Sequence, residues 1–161
     1  MRLNSLSKIT TFLILAFLLN ACAAEQKKIT QQQVANVLSE IDRATQNKDM
    51  DGICDFMAKD AKISITIEGF GPTQHLTMTR EEYRDNGKKA FIASSDYKFN
   101  RQDNKVTIEP DGSSATVTDK TYETVTIEGK EIRSVTSGIA VLRLENNKLV
   151  IVALDGVSKP N

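Results

Sequence analysis

Asp49-Met50-Asp51-Gly52-Ile53-Cys54-Asp55-Phe56-Met57-Ala58-Lys59-Asp60-Ala61-Lys62-Ile63-Ser64-Ile65-Thr66-Ile67-Glu68 turns from a helix into a strand within twenty residues. Asp49 is placed to cap a short helix with Met50, Ile53, Cys54 and Met57 on one face. Cys54 on that apolar stripe reads as a structural thiol. Further on, Ile63, Ile65 and Ile67 alternate with Ser64, Thr66 and Glu68, the period of a strand with one buried face.

Working outward from this stretch, the upstream side carries a capping box, Thr30 with Gln33, ahead of a helix reaching about Asn47. Val34, Val37, Leu38 and Ile41 make its single apolar stripe. Downstream, Gly69-Phe70-Gly71-Pro72 ends the strand, and a loop is expected to carry His75 and Met78. Thr79 with Glu82 forms a second capping box, Met78 and Tyr83 a hydrophobic staple, and a third helix runs to about Ala93, weakened by Gly87. Beyond Ser95, threonine, valine and isoleucine alternate to the end. Pro110-Asp111-Gly112, Gly129-Lys130 and Asn146-Asn147 supply the turns of successive hairpins. The expected class is α+β, with three N-terminal helices packed on a strongly curved, mostly antiparallel sheet.

The chain opens with Arg2 and Lys8 ahead of an apolar run, Ile9 to Leu19, closed by small residues. That is a secretory signal, too short for a permanent span of the roughly 30 Å hydrocarbon core. Leu19-Asn20-Ala21-Cys22 resembles the bacterial lipobox, which implies cleavage after residue 21 and acylation of Cys22. Cleavage by ordinary signal peptidase, releasing a soluble secreted form, is the rival. Residues 1–21 are thus a signal peptide, 22–29 the lipidated cysteine and its tether, and 30–161 a single domain. Ala23, not an aspartate, follows the cysteine, and by resemblance to lipoprotein sorting this implies the periplasmic face of the outer membrane.

Removing residues 1–21 takes away two bases and no acid, leaving 19 basic against 21 acidic residues and a net charge of −2. Without a basic run there is no electrostatic footprint for nucleic acid. With Cys22 acylated, Cys54 has no disulfide partner, and the core stands on packing.

The element order, together with the Asp55-Phe56-Met57-Ala58-Lys59-Asp60-Ala61 texture before an isoleucine-rich strand, resembles the nuclear-transport-factor-2-like superfamily. These are cone-shaped, cystatin-like and SnoaL-like domains. The likeness spans roughly Thr30 to Val157. It implies a ligand pocket between the concave sheet face and the helices, and sometimes a dimer through the outer face. It implies no one activity, since the superfamily holds isomerases, cyclases, hydrolases and non-catalytic binding modules.

Hairpin register then nominates a site. A two-residue turn at Gly129-Lys130 pairs Ile127 with Ile132, Glu123 with Thr136, Thr121 with Gly138 and Asp119 with Ala140. The Asn146-Asn147 turn pairs Leu144 with Leu149 and Gly138 with Asp155. Unless a bulge intervenes, all of these share one face. Val106 opposite Val117 would add Asn104 and Gln102. The candidate ligand-binding residues are therefore Asp119, Thr121, Glu123, Thr136, Gly138 and Asp155, with Asp119, Glu123 and Asp155 as candidate acids or bases. Solvated charges on a sheet face are the plain alternative.

Signatures of particular chemistry are incomplete. The first helix offers no tyrosine for an isomerase-like oxyanion site. An epoxide-hydrolase-like Arg-x-Asp spacing occurs only at Arg101-Gln102-Asp103, and His75 is a lone loop histidine. No metal-ligand spacing and no cofactor motif is present. The favoured reading is a lipid-anchored envelope protein with a non-catalytic ligand- or partner-binding pocket. The alternative is a small-molecule isomerase, cyclase or hydrolase using the pocket carboxylates. Thr116, Thr118, Tyr122, Thr124 and Thr126 form an outward row compatible with a homodimer through the sheet.

Overall fold

A computed structural model describes residues 28–161. The signal segment, Cys22 and most of the tether lie outside the described residues. Helix α1 (Gln31–Gln46) begins at the expected capping box: Thr30 accepts from the Gln33 amide while Gln33 Oε1 accepts from the Thr30 amide at 2.9 Å. Helix α2 (Met50–Cys54) is capped by Asp49, whose Oδ1 accepts from Gly52 N at 2.9 Å. Strand β1 (Met57–Ile67) follows directly, so Met57 belongs to the strand and not to the helix face. The expected loop at residues 74–78 is instead strand β2 (Gln74–Met78), antiparallel to β1. Gly69 and Gly71, both at positive φ, fold the chain back sharply enough for it to pair. Helix α3 (Arg80–Ala93) starts at the Thr79/Glu82 box, and β3 (Ser94–Ile108), β4 (Ser114–Ile127), β5 (Lys130–Glu145) and β6 (Lys148–Pro160) complete the domain. Two helices precede the sheet, and the third follows the β1–β2 hairpin; the three are not a block at the N-terminus.

The six strands lie in the order β2-β1-β6-β5-β4-β3. Every neighbouring pair is antiparallel except β1 with β6, which the intervening hairpins make parallel. Helix α1 packs on β3 and α2, and α3 packs on β1, α2 and β3, so the helices cover one sheet face. Gly87 has a packing reason: a Cβ there would stand 2.5 Å from the Met50 sulfur, so α3 rests on α2 at this point.

The core fills one pole of this cone. Ala115 and Val117 of β4, Leu142 of β5, Leu149 and Ile151 of β6 and Ile63 of β1 are buried against Val34, Leu38 and Ile41 of α1 and Ile53 and Cys54 of α2. Along β4 the burial then relaxes: every residue from Thr121 to Ile127 is only half-buried. The core is thus densest at the β3–β4 and β5–β6 turns, and burial thins toward the β4–β5 turn.

The two tight hairpins use left-handed residue pairs, Glu128-Gly129 (φ 50° and 76°) and Asn146-Asn147 (φ 51° and 65°). The first lies one residue earlier than the composition suggested. Ile127 pairs with Lys130, so Glu123 faces Ser134, Thr121 faces Thr136 and Asp119 faces Gly138. A shift of two in the pairing leaves every side chain on its expected face.

Candidate functional site

Two β-bulges decide which side chains enter the cone. In β6 the register shifts between the Leu142–Ile151 and Val141–Ala153 pairs, with Val152 as the extra residue. Beyond it the alternation inverts. Gly138 faces Gly156, and Asp155, paired with Ile139, lies exposed on the outer face. Asp155 therefore does not converge with Asp119 and Glu123, contrary to the uninterrupted register. In β3 the shift falls between Gln102 and Lys105, where Asp103 and Asn104 oppose the single residue Asp119. Asp103 takes φ 52°, a conformation that aspartate tolerates better than most residues. The inversion turns Gln102 outward and brings Arg101, Phe99 and Tyr97 into the cone, opposite Thr121, Glu123 and Val125.

Arg101 stands between α1 and β4. Its Nε and Nη2 each lie 2.8 Å from Asp42 Oδ1 on α1, and its Nη1 donates to Asp119 Oδ2 on β4. The side chains of Arg101 and Asp119 are only 13% and 10% exposed, which makes this a nearly buried ion triad tying the first helix to the sheet. Phe99 lies under the guanidinium, 5.8 Å from ring centroid to Cζ. Gly138 belongs to the same arrangement, since a Cβ on it would stand 2.9 Å from Asp119 Oδ1. The room left by this glycine is filled by the Asp119 carboxylate and does not enlarge a ligand cavity.

Further along β4, toward the β4–β5 turn, the chemistry changes. Burial raises the Glu123 carboxyl above its ordinary value, partly opposed by a hydrogen bond with the Tyr97 hydroxyl. Tyr97 is driven upward by its own burial and by Glu123, and its ring meets Phe91 edge-on at 5.1 Å. Tyr83 of α3 is pushed up to about 12, first by burial and then by Glu123. Both phenols are thus held protonated as donors beside one carboxyl of raised proton affinity. Thr121 and Thr136 face each other on the same concave side. Of the expected set, Asp119, Thr121, Glu123, Thr136 and Gly138 share that face; Asp155 does not.

Glu123 titrating above its unfolded value gives a pH prediction. The folded chain holds this proton more tightly than the unfolded chain. Its stabilising contribution is therefore complete below the ordinary value of 4.5 and is lost as pH rises through the folded one. Glu123→Gln cannot titrate, so relative to the parent it should be more stable at pH 8 than at pH 4. Urea unfolding of both chains at the two pH values measures this; an equal difference at both refutes it.

The remaining candidates fall away from the cone. His75, expected in a loop, sits on edge strand β2, its Nδ1 3.0 Å from Thr66 Oγ1 on the outer face of the sheet. Asp103 of the Arg-x-Asp spacing is 68% exposed beside Lys120, so the bulge separates it from Arg101. Asn104 lines a different concavity, an open groove of about 620 Å³ between α1 and β3 with Gln31, Ala35 and Ser39. Cys54 is buried, and burial pushes its thiol up, away from nucleophilic use. Among the described residues no three histidine, cysteine, aspartate or glutamate side chains gather as a metal site would require.

Tyr83, Tyr97 and Arg101 were not singled out by sequence as site residues. A signal existed in β3: Tyr97 and Phe99 are odd-numbered inward aromatics, whereas Val106 and Ile108 are even-numbered inward aliphatics. One straight strand cannot point both pairs to the same side, so an extra residue must lie between them.

Solved structures place this geometry. A conserved protein from Planctomyces limnophilus superposes with a TM-score of 0.68 at 13% identity, covering 81% of this chain and 97% of its own. A nuclear-transport-factor-2-like protein with a cystatin-like fold from Novosphingobium aromaticivorans gives 0.58 at 12% identity, covering 97% and 91%. The fold is nuclear-transport-factor-2-like. A hexachlorocyclohexane dehydrochlorinase shares this fold at a TM-score of 0.62 and 10% identity, covering 78% of this chain and 82% of its own. Nuclear-transport-factor-2-like architecture therefore serves enzymes and other proteins alike, and identities this low carry fold without activity. No protein-family model and no curated protein matches the sequence.

Proposed function

We propose that the protein is a lipid-anchored envelope protein, held by Cys22 at the periplasmic face of the outer membrane. Its cone binds, without transforming it, a small neutral or cationic molecule bearing hydroxyl or carbonyl groups. The observation that carries this reading is the state of Arg101. Both faces of its guanidinium fork are committed to Asp42 and Asp119, so the cationic group in the cone is already neutralised. An anionic ligand would have to displace a nearly buried carboxylate, whereas a neutral one meets the Tyr83 and Tyr97 hydroxyls, Thr121, Thr136 and Glu123. The Asp42 and Asp119 carboxylates are likewise held in the triad, which leaves Glu123 without a second free acid or base beside it.

A second reading rests on Glu123 itself. A half-buried carboxyl of raised proton affinity next to two protonated phenols is the arrangement an isomerase, cyclase or hydrolase would use to move a proton.

Native mass spectrometry of the full chain, extracted from its own membrane in mild detergent, tests both. A bound small molecule retained by the parent and lost in Glu123→Gln supports the pocket. A molecule recovered chemically altered after incubation with the parent, but not with Glu123→Gln, selects the enzyme. A ligand-free mass from freshly extracted protein refutes the binding reading.

A further inference from the structure

The groove between α1 and β3 lies beside a sheet edge that no strand covers among the described residues. Strand β3 ends the sheet, so half of its main-chain groups point away from β4. The Glu109 amide donates to the Ser114 carbonyl at 3.0 Å, which fixes the alternation beyond it. Thr107 with Thr116 and Lys105 with Thr118 are then hydrogen-bonded pairs, and Val106 with Val117 is not. Val106 therefore turns both its N–H and its C=O toward the free edge. Its carbonyl meets the Gln31 Nε2 of α1 at 3.5 Å, the long limit of a hydrogen bond. A side-chain amide stands there in the place where a neighbouring strand would put a main-chain one.

The rest of the groove suits the same guest. Its helical wall runs from Gln31 to Gln46, about 22 Å, the length of roughly seven extended residues. The two charges in that wall are already paired: Asp42 with Arg101 at 2.8 Å and Arg43 with Glu40 at 2.6 Å. What remains is neutral, with amides at Gln46 and Asn104, a hydroxyl at Ser39 and apolar surface at Ala35, Leu38 and Val106. Each side-chain amide offers a donor and an acceptor, the complement of a peptide group. No aromatic ring lines the groove for a sugar to stack on, which favours a peptide over an oligosaccharide. We propose that this groove binds an uncharged, extended peptide segment of a partner protein, added as a short strand on the Val106 edge of β3. The site is separate from the cone and does not rest on what the cone binds.

Heptapeptides displayed on phage, selected on the full chain in mild detergent and counter-selected on Ala35→Trp, test this. Ala35 and Ser39 are exposed, so an indole at either position should fill the groove without entering the core. Enriched peptides should carry no charged side chain and should shift the Val106 amide in the NMR spectrum of the parent. They should bind Ala35→Trp roughly tenfold or more weakly, and Ser39→Trp likewise. Thermal unfolding checks that both variants fold, and either one alone suffices for the comparison. N-methylating alternate main-chain amides of an enriched peptide should cost a similar factor, because a sheet edge is read through the main chain. The proposal is overturned if no peptide is enriched on the parent over the blocked chain, or if the N-methylated peptide binds as well as the original. It is also overturned if chitotetraose moves the Val106 amide and the peptides do not. Glu123→Gln should bind the peptides as the parent does, so loss of a ligand from the cone and loss of this one are read separately.

Discussion

Arg101→Met should destabilise the domain by about 3–5 kcal/mol, because it strips the cation from two carboxylates and leaves them unpaired away from water. Asp119 has 10% of its side chain exposed and Asp42 has 27%, so neither recovers full hydration when the guanidinium goes. The control is the triple change Asp42→Asn, Arg101→Met, Asp119→Asn. With no net charge left in the site, it should regain much of the lost stability, since replacing a buried ion group by neutral residues of similar size is often nearly neutral. Equilibrium urea unfolding gives both numbers. A loss below about 1 kcal/mol in the single variant would mean that the triad behaves as an ordinary exposed pair. The outcome also bears on function, for a guanidinium that holds α1 to the sheet is a structural cation and not a ligand hook.

Ile63→Ala should cost about 2–5 kcal/mol. Ile63 is fully buried on β1, between Met78 of β2 and Leu154 of β6 in the sheet, and its side chain is part of the core closed over by the helices. Deleting its outer carbons leaves a cavity that the backbone of a central strand cannot collapse to fill. Ile63→Val removes one methylene and should lose only about 0.5–1.5 kcal/mol. Comparable losses in the two variants would show that β1 is strained at this point and not simply emptied. Because Ile63 sits in the core near the β3–β4 and β5–β6 turns and Glu123 lies further along β4, this variant should leave a bound ligand in place under conditions where the domain remains folded.

Much of the architecture was legible residue by residue. Both capping boxes form as the Thr30/Gln33 and Thr79/Glu82 spacings require, since a helix start is settled by groups within one turn. The isoleucine alternation of β1 and the asparagine pair of the last hairpin are equally local. The outward threonine row of β4 is also where alternation puts it. Strand β2 was not legible, because four exposed residues in a row give no hydrophobic period and the strand exists only by pairing with β1.

The site divides along the same line. Asp119, Thr121 and Glu123 share a face because β4 is regular through them, and sequence alternation alone places them together. Asp155 and Arg101 lie beyond bulges, and one extra residue sends every later side chain to the opposite face. Whether an extra residue is accommodated depends on the neighbouring strands and on what is buried against them, which are contacts distant in sequence. The sequence by itself therefore determined the helix starts, the asparagine turn of the last hairpin and the α+β class, set by interactions within a few residues. Only the tertiary structure decided that Arg101 enters the cone, that Asp155 leaves it and that Gly138 makes room for Asp119, because each depends on register across strands.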